Sequence, residues 1–201
     1  MRRLVFTLLL VCCWSAIAAA DSIDFESLSA GTIVNSQYAA LGVTFNGGGT
    51  ILTAGINLNE FDFPPHSGVN VLGDIGGPIT ISFTHGTLFV SAFFTYSSLL
   101  TMTAYNAKGQ LLGQVNSLFT CNFTGCGYGS PNELIQFAST TRIARVTISG
   151  SPSGSSFAMD DLMFGKLTTP EPSSALLVLT GLAGVAALKR RRGAKSVDLG
   201  R

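Results

Sequence analysis

Three carboxylates stand where acids are hardest to place. Asp160 and Asp161 are consecutive inside the apolar run Ala158–Phe164, and Glu26 closes the first apolar run, SIDFE. If Ala158–Phe164 is a strand, side chains alternate between its faces. Phe157, Met159, Asp161 and Met163 then share one face, and Ala158, Asp160, Leu162 and Phe164 the other. Both faces are largely apolar, so at least one aspartate points into a hydrophobic layer. A buried carboxylate needs a cation, a hydrogen-bond donor or a proton. Calcium is one answer, because it gathers oxygens from carboxylates and backbone carbonyls. The competing answer is that the acids cap backbone amides or pair with Arg142 or Arg145.

A second group is the stretch Asn57-Leu58-Asn59-Glu60-Phe61-Asp62-Phe63-Pro64-Pro65-His66. Its prolines and asparagines mark a loop. Asn59, Glu60, Asp62 and His66 could bond hydroxyl groups while the aromatics supply a flat apolar face, the usual make-up of a ligand loop. Glu60 and Asp62 also allow a reading as paired glycosidase carboxylates, although nothing in the sequence sets their separation in space. A solvated loop is the plain alternative. Cys121 and Cys126 enclose Asn122-Phe123-Thr124-Gly125 and suit a disulfide. His66 and His85 have no third ligand at metal spacing. No G-x-S-x-G motif, phosphate-binding glycine loop or His–Asp pair at a telling spacing occurs.

The two ends carry different instructions. Arg2 and Arg3 precede an apolar stretch ending in Ala18-Ala19-Ala20, a secretory signal peptide over residues 1–20 with cleavage before Asp21. A lipoprotein signal at Cys12 competes, but Val11 stands where a small residue is expected. Removal of the signal takes away Cys12 and Cys13. Cys121 and Cys126 then form an even pair in an oxidising compartment. At the other end, Pro170-Glu171-Pro172 precedes an uncharged apolar run of about 16 residues, and Lys189, Arg190, Arg191 and Arg192 follow it. As a helix the run spans roughly 24 Å, and snorkelling cations extend it toward a membrane thickness. The cations place the preceding chain outside.

Most of the chain's cations sit at those ends. Between residues 21 and 167 the cations are Lys108, Arg142, Arg145 and Lys166, against nine acids. An acidic exported part disfavours nucleic acid as a partner. Its length fits one domain over 21–167, followed by a sorting segment over 168–192 and a cytoplasmic tail over 193–201.

Runs rich in Val, Ile, Phe and Thr recur between Gly, Asn, Ser and Pro: SIDFE, GVTF, TILT, GVNVL, PITISF, LFVSAFFTY, LTMTAY, LLGQV, LIQF, IARVTI and AMDDLMF. The pattern predicts an all-β protein, an antiparallel β-sandwich, with one short helix in Val34–Leu41 and one C-terminal transmembrane helix. Ile143, Val146 and Ile148 fail to alternate, which predicts a bulge or burial on both faces.

The triplet, apolar span and basic cluster in that order resemble the PEP-CTERM sorting signal of Gram-negative bacteria. The resemblance implies that an exosortase, a membrane-embedded cysteine transpeptidase, acts at Pro170, Glu171 and Pro172. It implies transient anchoring by the helix, then transfer to the cell surface or extracellular matrix, with signal peptidase and the secretion machinery as earlier partners. It also implies association with exopolysaccharide. The opening IDFESLSAGTIVNSQYAALGVTFNGGG and the ending SFAMDDLMFG resemble jelly-roll, carbohydrate-binding-module-like domains whose first and last strands pair. In those domains a structural calcium sits near the paired strands, which implies Glu26 with Asp161, or Asp160, as its ligands. The leading expectation is therefore a non-enzymatic surface or biofilm-matrix protein associated with exopolysaccharide. The alternative is a carbohydrate-binding module with a defined sugar ligand, and a secreted hydrolase stands behind both.

Overall fold

The computed structural model describes residues 20–127 and 129–165. The expected sorting triplet Pro170–Pro172, the transmembrane run, the Lys189–Arg192 cluster and nearly all of the signal peptide lie outside those residues.

The described chain is all-β and antiparallel. Its strands are β1 (Asp21–Ile23), β2 (Val43–Asn46), β3 (Thr50–Thr53), β4 (Asn70–Gly73), β5 (Ile79–Tyr96), β6 (Thr101–Tyr105), β7 (Leu111–Asn116), β8 (Glu133–Ser149) and β9 (Phe157–Gly165). They join in the order β3-β4-β9-β5-β8-β6-β7, with β1 on β9 and β2 on β5. The short helix expected over Val34–Leu41 is a 3-10 turn at Ala39–Leu41.

Two long strands turn this sheet into a sandwich. PITISF and LFVSAFFTY read as separate strands because Thr84-His85-Gly86 interrupts them, yet they form the single strand β5. LIQF and IARVTI likewise merge into β8. The β5–β8 register slips between Ser82 and Thr87 and again before Phe89, so the chain bends without leaving the ladder. Before the bend β5 carries β2; after it, β5 carries β9. The inward face changes parity across the bend, from Ile79, Ile81 and Phe83 to Val90, Ala92, Phe94 and Tyr96, all buried. Those two sets join one core with Phe25, Leu72, Met102, Ile143, Val146 and Ile148. Each fully buried Ile or Phe contributes about 1.5–3 kcal/mol. The irregular spacing in IARVTI is thus the mark of the bend, and all three of its spaced apolar residues reach the core.

Strand β9 is the seam of the domain. Its second half pairs with β1, Asp21 opposite Phe164 through Ile23 opposite Leu162. Its first half pairs with β4, Leu72 opposite Met159 and Gly73 opposite Ala158. On its other side β5 follows it throughout, except that between Ser91 and Phe93 one residue of β5, Ala92, stands against two of β9, Asp161 and Leu162. That bulge places Asp161 at φ 46°. Strict alternation therefore fails at the aspartates. Phe157 and Met159 face the main core before the bulge, and Leu162 and Phe164 face it after.

Candidate functional site

The bulge sits where β9 exchanges β1 for β4, so its outer edge lacks a continuous partner strand. The acids fill that gap. Asp160, 1% exposed, accepts from the backbone N–H groups of His66 and Ser67 at 2.8 and 2.9 Å through Oδ2, and from Asp161 N–H at 2.7 Å through Oδ1. Asp161 Oδ2 lies 2.6 Å from His66 Nδ1, and its Oδ1 accepts the Ser67 hydroxyl at 2.9 Å. Glu26 Oε1 accepts from Val69 and Asn70 N–H at 3.0 and 2.7 Å. The buried Asn70 amide then donates to the carbonyls of Phe25 and Leu28. Phe25 adopts φ 61°, and from that twist its ring packs edge-on against Tyr38 and Phe45 inside the core.

The three predicted ligands are brought together around one segment, residues 66–70, and their bonds are to N–H and O–H donors. A calcium site needs oxygens converging on one point. Here amide hydrogens point at the carboxylates, where they would repel a cation. The bonded oxygens of these carboxylates are turned to hydrogen-bond donors. Among the described residues, no three His, Cys, Asp or Glu side chains cluster as metal ligands. Arg142 and Arg145 do not serve these acids either: Arg142 donates to the carbonyls of His85 and Gly86, and Arg145 lies over the Tyr105 ring.

Burial pushes the Asp160 carboxyl up to about 6; the Asp161 charge adds to the rise, and the amide donors oppose it. Asp74 is raised as well, first by burial, against its bonds from Ser156 and Phe157. Asp74 has 0% exposure, and its oxygens accept Ser156 N–H, Ser156 Oγ–H and Phe157 N–H. It thereby pins the end of the loop that precedes β9.

The predicted ligand loop divides in two. His66 belongs to the seam, where its ring stacks on Phe93 at 3.4 Å between centroids. Residues 54–63 lie on the outer face of the β3-β4-β9 layer. Leu58 fastens them there, packed with Val71 and Ala158 and flanked by Leu52, Ala54 and Phe63. Asn57 closes the first turn by accepting Thr53 N–H at 2.7 Å. Asn59 donates to Asp62 Oδ2 at 2.8 Å. Glu60 is exposed, and Phe61 is 76% exposed.

The disulfide loop braces this segment from the side. Cys121 and Cys126 are bridged, with Cα atoms 6.1 Å apart. Thr124 donates its hydroxyl to the Phe61 carbonyl at 2.7 Å and its N–H to the Asp62 carbonyl at 3.2 Å. Phe63 stacks on Phe123, with rings 5.9 Å apart and 4° from parallel. Asn122 is fully buried and bonds Tyr96, Phe94 and Ser130 through its side chain. Asn122-Phe123-Thr124 has the spacing of an N-glycosylation acceptor, and this burial closes it to modification in the folded domain.

Beneath the loop lies a half-open pocket of about 150 Å³. Leu52, Leu58, Phe63, Ile75, Phe157 and Ala158 form its walls, with Asn59 and Asp74 among its polar members. Spacing in the sequence signalled neither the pocket nor the bracing by Thr124. His66 and Asp161 pair across 95 residues, too far apart for any spacing rule. Ser67 bonds Asp161 rather than His66, so the three do not form a nucleophile–base relay.

No protein-family model matches the chain, and no curated protein does. Among solved structures it is similar to the K2 cleaved adhesin domain of Lys-gingipain, at 15% identity and TM-score 0.43 over 73% of this chain and 99% of that one. A DUF4465 family protein from Bacteroides caccae ATCC 43185 gives 13%, 0.44, 76% and 96% in the same order. A family 6 carbohydrate-binding module gives 14%, 0.36, 72% and 92%. The likeness is one of general form to carbohydrate-binding-module-like β-sandwich domains. At these scores it carries nothing about ligand or activity to this chain.

Proposed function

We propose that this domain binds carbohydrate without turning it over, at the 54–63 loop and the pocket beneath it. One observation carries the reading: Phe61 is held largely exposed on a loop braced by Leu58, Thr124 and the Phe63–Phe123 stack. An isolated exposed aromatic needs no explanation. An exposed aromatic on a braced loop, beside Asn59, Glu60 and Asp62 and above a pocket, has the composition of a preformed ligand site. The ring face offers itself to the C–H face of a sugar, and the polar neighbours to its hydroxyls. Binding without turnover is supported by the pocket's one acid, Asp74, whose oxygens are already engaged.

The ends complete the proposal. The protein is exported and sorted through the PEP-CTERM tail, with an exosortase acting at Pro170–Pro172, then held at the cell surface or in the matrix. Exopolysaccharide is the nearest source of ligand there. A matrix component with no chosen sugar is the second reading, favoured by the same tail.

The test is binding of the 20–165 domain to a glycan panel and to the producer's exopolysaccharide. First and last strands pair inside that span, and it holds the whole described core. Saturable binding that Phe61→Ala weakens at least tenfold is expected. Absence of saturable binding to every glycan overturns the module reading.

A further inference from the structure

We infer that the pocket under the loop takes the acetamido group of a neutral sugar. This rests on the carbohydrate reading above and names the sugar class. Size comes first. A cavity near 150 Å³ lined by Leu, Ile and Phe accommodates a group of about benzene's size. The pocket here has that volume and those wall residues. A whole pyranose with its hydroxyls is roughly twice as large as benzene by heavy-atom count, so a substituent enters and the ring stays above, against Phe61.

Polarity decides which substituent. The walls are the apolar side chains of Leu52, Leu58, Phe63, Ile75, Phe157 and Ala158. A hydroxyl held against these side chains loses its water partners, with only Asn59, Asp74 and Ser155 among the lining side chains to replace them, whereas a methyl gains by burial. Asp74 Oδ1 already accepts two donors and Oδ2 one. At the pocket wall Asn59 uses its amide N–H₂ on Asp62. Its Oδ1 has no partner among the described residues and can accept an acetamido N–H. One methyl that seeks burial and one N–H that seeks an acceptor match this pocket as a pair.

Charge excludes the acidic sugars. Glu60 follows Asn59 and Asp62 is bonded to it, and no Lys or Arg lines the pocket. Lys108 sits in the β6–β7 turn, and Arg142 and Arg145 lie in β8, where they serve other groups. Among the described residues, a uronate or sulfated sugar would meet carboxylates with no cation beside them.

The experiment titrates the 20–165 domain with oligomers of N-acetylglucosamine and N-acetylgalactosamine. Their de-N-acetylated counterparts, cello-oligosaccharide and an oligouronate of equal length serve as comparisons. The expected result is at least a tenfold preference for the acetylated oligomers, with saturation transfer in NMR strongest at the acetyl methyl. Ala158→Val narrows the pocket and should abolish the preference. Where that variant fails to fold, Asn59→Ala, at an exposed position, should lower the same ratio. Equal affinity for acetylated oligomers and cello-oligosaccharide overturns this inference and leaves the carbohydrate reading standing. Preference for the oligouronate overturns it too. No binding to any of these sugars or to the producer's exopolysaccharide removes both.

Discussion

Two acid-bearing regions of this domain use the same chemical group for opposite purposes. At the seam, buried Asp160, half-buried Asp161 and exposed Glu26 stand in for a missing strand neighbour, each bonded to N–H or O–H donors of residues 66–70. On the loop, Glu60 faces solvent and the Asp62 carboxylate accepts from Asn59. A carboxylate's role is set by which donors reach it. At the seam the donors are the backbone amides of residues 66, 67, 69 and 70 and the Ser67 hydroxyl, so these acids hold one segment in place. On the loop, groups remain open to a ligand.

The largest effect should come from breaking the seam. Asp160→Ala leaves the amides of His66 and Ser67 without their buried acceptor and opens a small void. A loss of about 3 kcal/mol or more in urea unfolding is expected. A loss below about 1 kcal/mol would show that water replaces the carboxylate and that the seam is no different from the loop.

Next is the brace. Replacing Cys121 and Cys126 together by serine releases a short loop, for which chain entropy gives about 2 kcal/mol. The sharper readout is ligand affinity, because Thr124 holds the Phe61 and Asp62 carbonyls. Affinity should fall further than stability alone accounts for, in a titration at a temperature where the variant is fully folded. Unchanged affinity would mean that the loop stands without the brace.

A smaller effect lies in pH. Asp160 is pushed up to about 6, chiefly by burial, so the folded state holds this proton more tightly than the unfolded chain. Its contribution is full below the ordinary carboxylate range and is lost as pH rises toward about 6. The slope is at most about 1.4 kcal/mol per pH unit per proton. Asp74, raised for the same first reason, acts in the same direction. Denaturation of wild type and Asp160→Asn between about pH 4 and 7 should show wild type losing more stability across the interval. The reverse order would mean that the amide donors outweigh burial. Glu60→Gln, the same kind of change at an exposed position away from the seam, is the matched control.

The smallest expected effect is none. With amides bonded to Glu26 and Asp160, chelator should shift the melting temperature by less than about 1 °C. A larger shift, restored by calcium, would return the seam to the metal-binding role that its acids first suggested.

What the sequence determined by itself follows from local rules. Apolar alternation and turn residues settle strand content, so the all-β reading held, with strands near the expected places. Two cysteines at short separation settle the bridge. Buried acids in an apolar strand announce that something must satisfy them. Tertiary structure alone decided what that something is. The amides of His66 and Ser67 lie more than 90 residues from Asp160, and Val69 and Asn70 more than 40 from Glu26. No period in the sequence encodes such a meeting. Tertiary pairing also decided that PITISF and LFVSAFFTY are one bent strand, because a bulge and a turn use the same residues and differ only in whether the partner strand follows. It decided that His66 leaves the ligand loop for the seam, and that Leu58, Phe63 and Ala158 wall a pocket. A pocket exists between segments, and its shape is a property of their packing rather than of either one.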